Sequence, residues 1–151
     1  MDIAVRIEKN GVAFYDALVA STSDGRAREV YKFMAGEERQ HIVDFTGLGE
    51  RVEAFLPVET YAGEHEEYLQ ALAETHMFVE DGAGAELAKR AANDKEAIAV
   101  AAQFEKDSIL LFDLLKDLVP EKEKGTIEAL IGQEKRHLVK LHGLARSLGV
   151  A

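Results

Sequence analysis

The sequence predicts an all-α protein: a four-helix bundle built from two helical hairpins joined by a long, partly helical crossover. Three observations predict it. The chain is rich in Ala, Leu, Glu and Lys and has only two prolines in 151 residues, a composition that favours helix. Apolar residues recur at helical rather than alternating spacing. In addition, a pair of short signatures occurs in the same order in both halves of the chain. Ile7-Glu8-Lys9-Asn10 precedes Gly36-Glu37-Glu38-Arg39-Gln40-His41, and Phe104-Glu105-Lys106-Asp107 precedes Gly132-Gln133-Glu134-Lys135-Arg136-His137.

Each element has its own signals. Val5, Val12, Tyr15 and Leu18 place a first helix near residues 2–20, and Ser21-Thr22-Ser23-Asp24-Gly25 reads as a turn. A second helix runs from about Ala27 to Leu48 or beyond, with Val30, Met34, His41 and Phe45 on related faces. Gly47 and Gly49 are candidates to end it, and Pro57 closes the region. The segment 56–93, richer in Gly and acidic residues, is the expected crossover, with helices over Glu64–Phe78 and around Ala85–Ala92. Asn93-Asp94 offers an N-cap for a third helix reaching about Leu118. Val119-Pro120 ends that helix, and a fourth follows from about Glu121 to Leu148, closed by Gly149. The expected organisation is one domain over 1–151, with helix pairs 2–55 and 94–148 flanking the crossover.

Composition narrows the function classes. A formal charge of −10 without a Lys/Arg stripe argues against a nucleic-acid surface. The absence of cysteine removes disulfides, thiolate catalysis, zinc fingers and iron–sulfur clusters, so any redox centre must use oxygen and nitrogen ligands. No signal-peptide layout opens the chain and no apolar run approaches the roughly 20 residues that span a bilayer, so a cytoplasmic location is expected. Gly-rich phosphate loops, nucleophile elbows and nucleotide fingerprints are missing from the sequence.

The repeated signature carries the chemistry. Residues three apart on a helix lie about 60° apart around its axis and about 4.5 Å along it, so Glu38 with His41, and Glu134 with His137, can reach one ion together. Glu8 and Glu105 can complete the sites from facing helices. A lone Glu-x-x-His in a Glu-rich helical protein is most simply a solvated face. Two copies, each about thirty residues after a Glu set in an apolar helical face, have no reason to recur as surface pattern. The expectation is a pair of ions, bridged by Glu38 and Glu134, with Glu8 and His41 terminal on one side and Glu105 and His137 on the other. Mixed carboxylate and imidazole donors suit iron or manganese, with adventitious zinc as an alternative. Gly11 and Ser108, one turn from Glu8 and Glu105, are expected to leave space beside the ions.

Tyr15 and Tyr31 share helix faces with the ligands. Core packing is the first reading of both, and a supporting or electron-relay role beside the ions is the second. His65 and His76 in the crossover are expected to be solvated or packed, His142 points away from His137, and Lys9 and Lys106 face solvent.

At these residues the chain resembles the rubrerythrin-type branch of the ferritin-like superfamily. Its members place a Glu on helices one and three and Glu-x-x-His on helices two and four. The resemblance covers nearly the whole chain and implies a ferritin-like bundle with Glu8, Glu38, His41, Glu105, Glu134 and His137 holding two irons. It further implies a non-haem oxidoreductase that acts on hydrogen peroxide or dioxygen in oxidative-stress defence, or else a ferroxidase or iron-handling protein. Two features depart from the family. The cysteine-ligated rubredoxin domain of full rubrerythrins is missing, so an external electron-donor protein is implied. The family's additional carboxylate, one turn after the helix-three ligand, is here Ser108. A contrasting expectation from another class is a helical interaction module that holds no metal. Related bundles often pair, and Phe55, Leu56, Tyr68, Leu69, Leu72, Met77 and Phe78 are candidates either for a homodimer surface or for covering the bundle end.

Overall fold

Helix is the regular structure throughout residues 1–52 and 63–151, which are those described in a computed structural model of the protein. The elements are α1 (Asp2–Ser21), α2 (Gly25–Val52), α3 (Glu64–Thr75), α4 (Ala83–Arg90), α5 (Asp94–Asp117) and α6 (Glu121–Ser147). Among these residues there is no strand, and no helix is long and apolar enough to cross a membrane.

Local chemistry sets most of the boundaries. Asp24 caps α2, accepting from Arg26 N at 2.8 Å and Ala27 N at 3.1 Å. The Arg26 side chain and these amides hold its carboxyl down at about 2. Asn93 caps α5 as expected, its Oδ1 accepting from Glu96 N at 3.0 Å, and Glu96 Oε2 in turn accepts from Ala92 N at 2.9 Å. Gly149, at φ +69°, closes α6. Its left-handed conformation lets Val150 N reach back to Ala145 O at 2.9 Å.

α2 continues past Leu48 to Val52, within the expected range and through both Gly47 and Gly49, because the buried side chains of Phe45 and Leu48 anchor that stretch against the core. Packing here outweighs the roughly 1 kcal/mol that each helical glycine costs. Conversely, α3 stops at Thr75 rather than Phe78. The following residues turn so that His76 and Phe78 enter the core, with His76 Nδ1 accepting from Phe78 N at 3.1 Å. Pro57, Phe55 and Leu56 lie outside the described residues.

Short connections make α1 and α2 one hairpin and α5 and α6 another, and within each hairpin the packing is the most extensive in the molecule. Contacts across the hairpins run antiparallel as well. Thr22 meets Asp94 and Tyr15 meets Glu105 between α1 and α5, while His41 meets Gln133 and Arg51 meets Glu123 between α2 and α6. One hydrophobic cluster fills the space between them, including Ile7, Phe14, Met34, Phe45, Phe104, Phe112 and Ile127. Aromatic rings dominate it: Phe78 packs on Phe104 at 4.3 Å and Phe45 on Phe112 at 4.7 Å between centroids.

The crossover is tied to α1 by one buried amide. Asn10 Nδ2 donates to Phe78 O and Glu80 O, both at 2.7 Å, and its Oδ1 accepts from Gly82 N at 3.1 Å. α4 then lies directly against α1, so closely that a Cβ at Gly84 would stand 1.9 Å from Asn10 O. Phe78 is fully buried and Leu69 and Met77 pack partly buried against the core, whereas Tyr68 is exposed.

Two outcomes test this packing. Gly84→Ala has to push α4 away from α1 and is expected to cost about 1–3 kcal/mol in denaturant unfolding. Burial holds His76 down at about 4, with Nε2 lacking a hydrogen-bond partner among the described residues. Its neutral form is thus favoured in the fold, and the unfolded chain takes up the proton first. Stability is therefore lost as pH falls from about 6.5 towards 4, by roughly 3 kcal/mol once fully developed. In His76→Phe that part of the acid dependence should disappear from pH-dependent melting curves.

Candidate metal centre

Four glutamates and two histidines meet inside the helices. Glu8 comes from α1, Glu38 and His41 from α2, Glu105 from α5, and Glu134 and His137 from α6. None of the six is more than 1% exposed. The i, i+3 spacing acts as its geometry requires: His41 Nδ1 lies 3.0 Å from Glu38 Oε2, and His137 Nδ1 lies 2.9 Å from Glu134 Oε2.

The donors form two sets, in each of which the ligand atoms lie within 4.8 Å of one another. One is Glu8, Glu38, His41 and Glu134; the other is Glu38, Glu105, Glu134 and His137. Glu38 and Glu134 belong to both, while Glu8 with His41 and Glu105 with His137 belong to one each. Distances across the helices agree with this division. His41 Nδ1 lies 2.9 Å from Glu134 Oε1 and 3.6 Å from Glu8 Oε2, and His137 Nδ1 lies 3.2 Å from Glu105 Oε2 and 3.6 Å from Glu38 Oε1. The imidazole rings stack at 5.6 Å with 24° between their planes.

Protein partners do not satisfy this cluster. Among the described residues, Glu8 Oε1 and Oε2, Glu38 Oε1 and Glu134 Oε1 are buried without a hydrogen bond. The 2.9 Å approach of His41 Nδ1 to Glu134 Oε1 is thus close in distance but not aligned as a hydrogen bond. Buried carboxylate oxygens left so are costly, and a cation held among them removes the cost. Hard oxygen and borderline nitrogen donors in this ratio fit a divalent transition metal. These residues can therefore hold metal; the donor set by itself does not name it.

Electrostatics show the same strain. Burial, and then the charge of Glu38, raise the Glu8 pKa well above the ordinary carboxylate range. Burial and the neighbouring Glu134 raise that of Glu105. Glu134 is driven the other way: burial opposes its charge, but the close approach of Glu105, His137 and His41 outweighs it. Burial also opposes charge on His41, yet the carboxylates of Glu134, Glu38 and Glu8 raise its pKa. Without a cation the cluster favours retained protons, which a bound metal would replace.

Neighbouring groups orient the ligands. Both histidines turn Nδ1 inward. His41 Nε2 faces outward to Gln133 Oε1 at 3.1 Å, and His137 Nε2 faces Glu37 Oε2 at 3.9 Å. Gln133 and Glu37 each precede a shared glutamate of the other half. Sequence reasoning missed both, although their position immediately before Glu134 and Glu38 was a usable signal. Tyr15 donates its hydroxyl to Glu105 Oε1 in a short hydrogen bond, and burial together with Glu105 raises its pKa. Tyr31 stacks on Tyr15 at 6.4 Å but gives its hydroxyl to Asp94 Oδ1 at 3.3 Å and contacts no ligand.

The remaining candidates fall outside the centre. His76 packs against Phe104, His142 is exposed, and Lys9 and Lys106 face solvent. Gly11 does not leave room beside the ligands as expected. A Cβ there would meet Phe104 Cζ at 2.7 Å and Glu38 Cγ at 3.4 Å, so the missing side chain admits the Phe104 ring. Ser108 is fully buried and its Oγ has no hydrogen-bond partner among the described residues.

Comparison with protein-family models, with curated proteins and with solved structures finds no match.

The cluster makes a direct prediction. Glu8→Gln keeps the shape but removes one buried charge that must otherwise be protonated or left unpaired. The metal-free variant is expected to melt higher than wild type at pH 7, whereas added ferrous iron stabilises it less, because binding to the native state alone raises stability. Anaerobic calorimetric melts with and without iron read both effects.

Proposed function

We propose that the chain is a dinuclear carboxylate–histidine metalloprotein of rubrerythrin type, with a ferritin-like four-helix bundle and two iron ions. In this reading it reduces hydrogen peroxide or dioxygen with electrons from an external donor protein. The observation that carries the proposal is the sharing of Glu38 and Glu134 between two donor sets, each completed by one more Glu and one His. Two hairpins separated by a long connection support the same architecture.

Each residue has a definable task. Glu38 and Glu134 span the two ion positions, and Glu8, His41, Glu105 and His137 supply terminal donors. Gln133 accepts from His41 Nε2 and so fixes the tautomer that presents Nδ1 inward. Phe45, Phe104 and Phe112 exclude water from the surrounding core, which strengthens every electrostatic contact there. Iron, when bound in the ferrous state, supplies the two electrons that convert peroxide to water, with two protons taken up from the surroundings. The donor protein restores those electrons, since the chain has no cysteine for a redox centre of its own.

Ser108 favours a second reading. Where rubrerythrins carry a further carboxylate, this residue offers only a buried hydroxyl, which suits a ferroxidase or iron-handling protein without sustained peroxidase turnover. Steady-state kinetics separate the two. With a reductant supplied, the iron-loaded protein is expected to consume peroxide over many turnovers, and Glu38→Ala to abolish consumption. Oxidation that stops after a single turnover despite available reductant would move the assignment to iron handling.

A further inference from the structure

One difference between the two halves of the centre is a hydroxyl group. Tyr15 on α1 donates to Glu105 Oε1 on α5. Exchanging the halves at an offset of 97 residues maps Tyr15 onto Phe112 and Glu105 onto Glu8, so the residue that matches Tyr15 for Glu8 carries no hydroxyl. The carboxylates reflect this difference. Glu8 has neither oxygen in a hydrogen bond, whereas Glu105 has Oε1 engaged by Tyr15 and Oε2 at 3.2 Å from His137 Nδ1. Tyr15 is fully buried, with its ring held by Phe14, Phe104 and Tyr31, so packing sets where the hydroxyl sits.

We infer that Tyr15 is a positioning residue that makes the two ion positions inequivalent. It confines Glu105 to a single donor oxygen, so the position of Glu105 and His137 takes up a small exogenous anion. Glu8, with both oxygens available, closes the other position. The inference rests on the dinuclear reading above. An oxygen that accepts a hydroxyl proton is a weaker donor to a cation, and turning Glu105 to chelate with both oxygens would break a charge-assisted hydrogen bond. A metal position with one fewer protein donor keeps a place open for another ligand. Proximity to the centre alone would not single out Tyr15, because Tyr31 stacks on it yet gives its hydroxyl to Asp94.

Cobalt(II) and azide provide the test, with cobalt's visible bands reporting coordination number and azide serving as the small anion. Wild type is expected to load two cobalt ions per chain and to bind one azide. Tyr15→Phe, which places in α1 the side chain already present at Phe112, should still load two ions. Its azide affinity should fall by roughly ten-fold or more, and its visible bands should weaken as Glu105 chelates. Tyr31→Phe, which also removes a hydroxyl from the stack, should leave both readouts unchanged. Equal azide affinity and unchanged bands in wild type and Tyr15→Phe, with both fully loaded, would overturn the inference and leave the dinuclear reading intact. Wild-type loading below two ions per chain would overturn the dinuclear reading and this inference with it.

Discussion

Four carboxylates enclosed within a few ångströms of one another set the terms for everything around them. At an effective dielectric constant near 20, two unit charges 4 Å apart interact by about 4 kcal/mol, and each carboxylate here has several such neighbours. No folded chain of ordinary stability tolerates that repulsion uncompensated. Burial and neighbouring charge favour retained protons on Glu8 and Glu105, the surrounding carboxylates favour charge on His41, and a bound cation would relieve the repulsion further. The centre is thus a place of electrostatic load that positive charge would relieve.

The surrounding core is closely packed with buried aromatic rings. Aromatic rings pack from three of the four helices that supply the centre: Phe14 and Tyr15 from α1, Phe45 from α2, and Phe104 and Phe112 from α5. The crossover contributes Phe78 and His76, held in place because Asn10 ties the backbone at Phe78, Glu80 and Gly82 to α1. Gly11 and Gly84 serve the same purpose by opposite partners, one admitting the Phe104 ring and the other an adjacent helix backbone. Small residues close to the ligands therefore tighten the core.

The Glu and His residues of the cluster repeat between the two halves, and several of their neighbours do not. Glu8 and Glu105, Glu38 and Glu134, and His41 and His137 repeat between halves, whereas Gln133 opposes one histidine and Glu37 the other, and Tyr15 has only Phe112 as its counterpart. Each of these replacements changes a neighbour of a ligand and leaves the ligand type alone.

By itself the sequence determined the helical class, the hairpins, the Asn93 cap and the six Glu and His residues that meet in the core. These are written in local periods: the 3.6-residue apolar repeat, the three-residue spacing of Glu38 with His41 and Glu134 with His137, and the recurrence of one hairpin in the other. The sequence also suggests how these residues group, and the tertiary structure supplied the meeting of Glu8 and Glu105 with residues of other helices, which no spacing along the chain encodes. The tertiary structure likewise decided that Tyr15 serves Glu105, ninety residues away, while Tyr31 serves Asp94. The continuation of α2 through Gly47 and Gly49, the early end of α3 and the burial of His76 follow from core packing, which sums contacts from distant segments and outweighs the preference of any single residue.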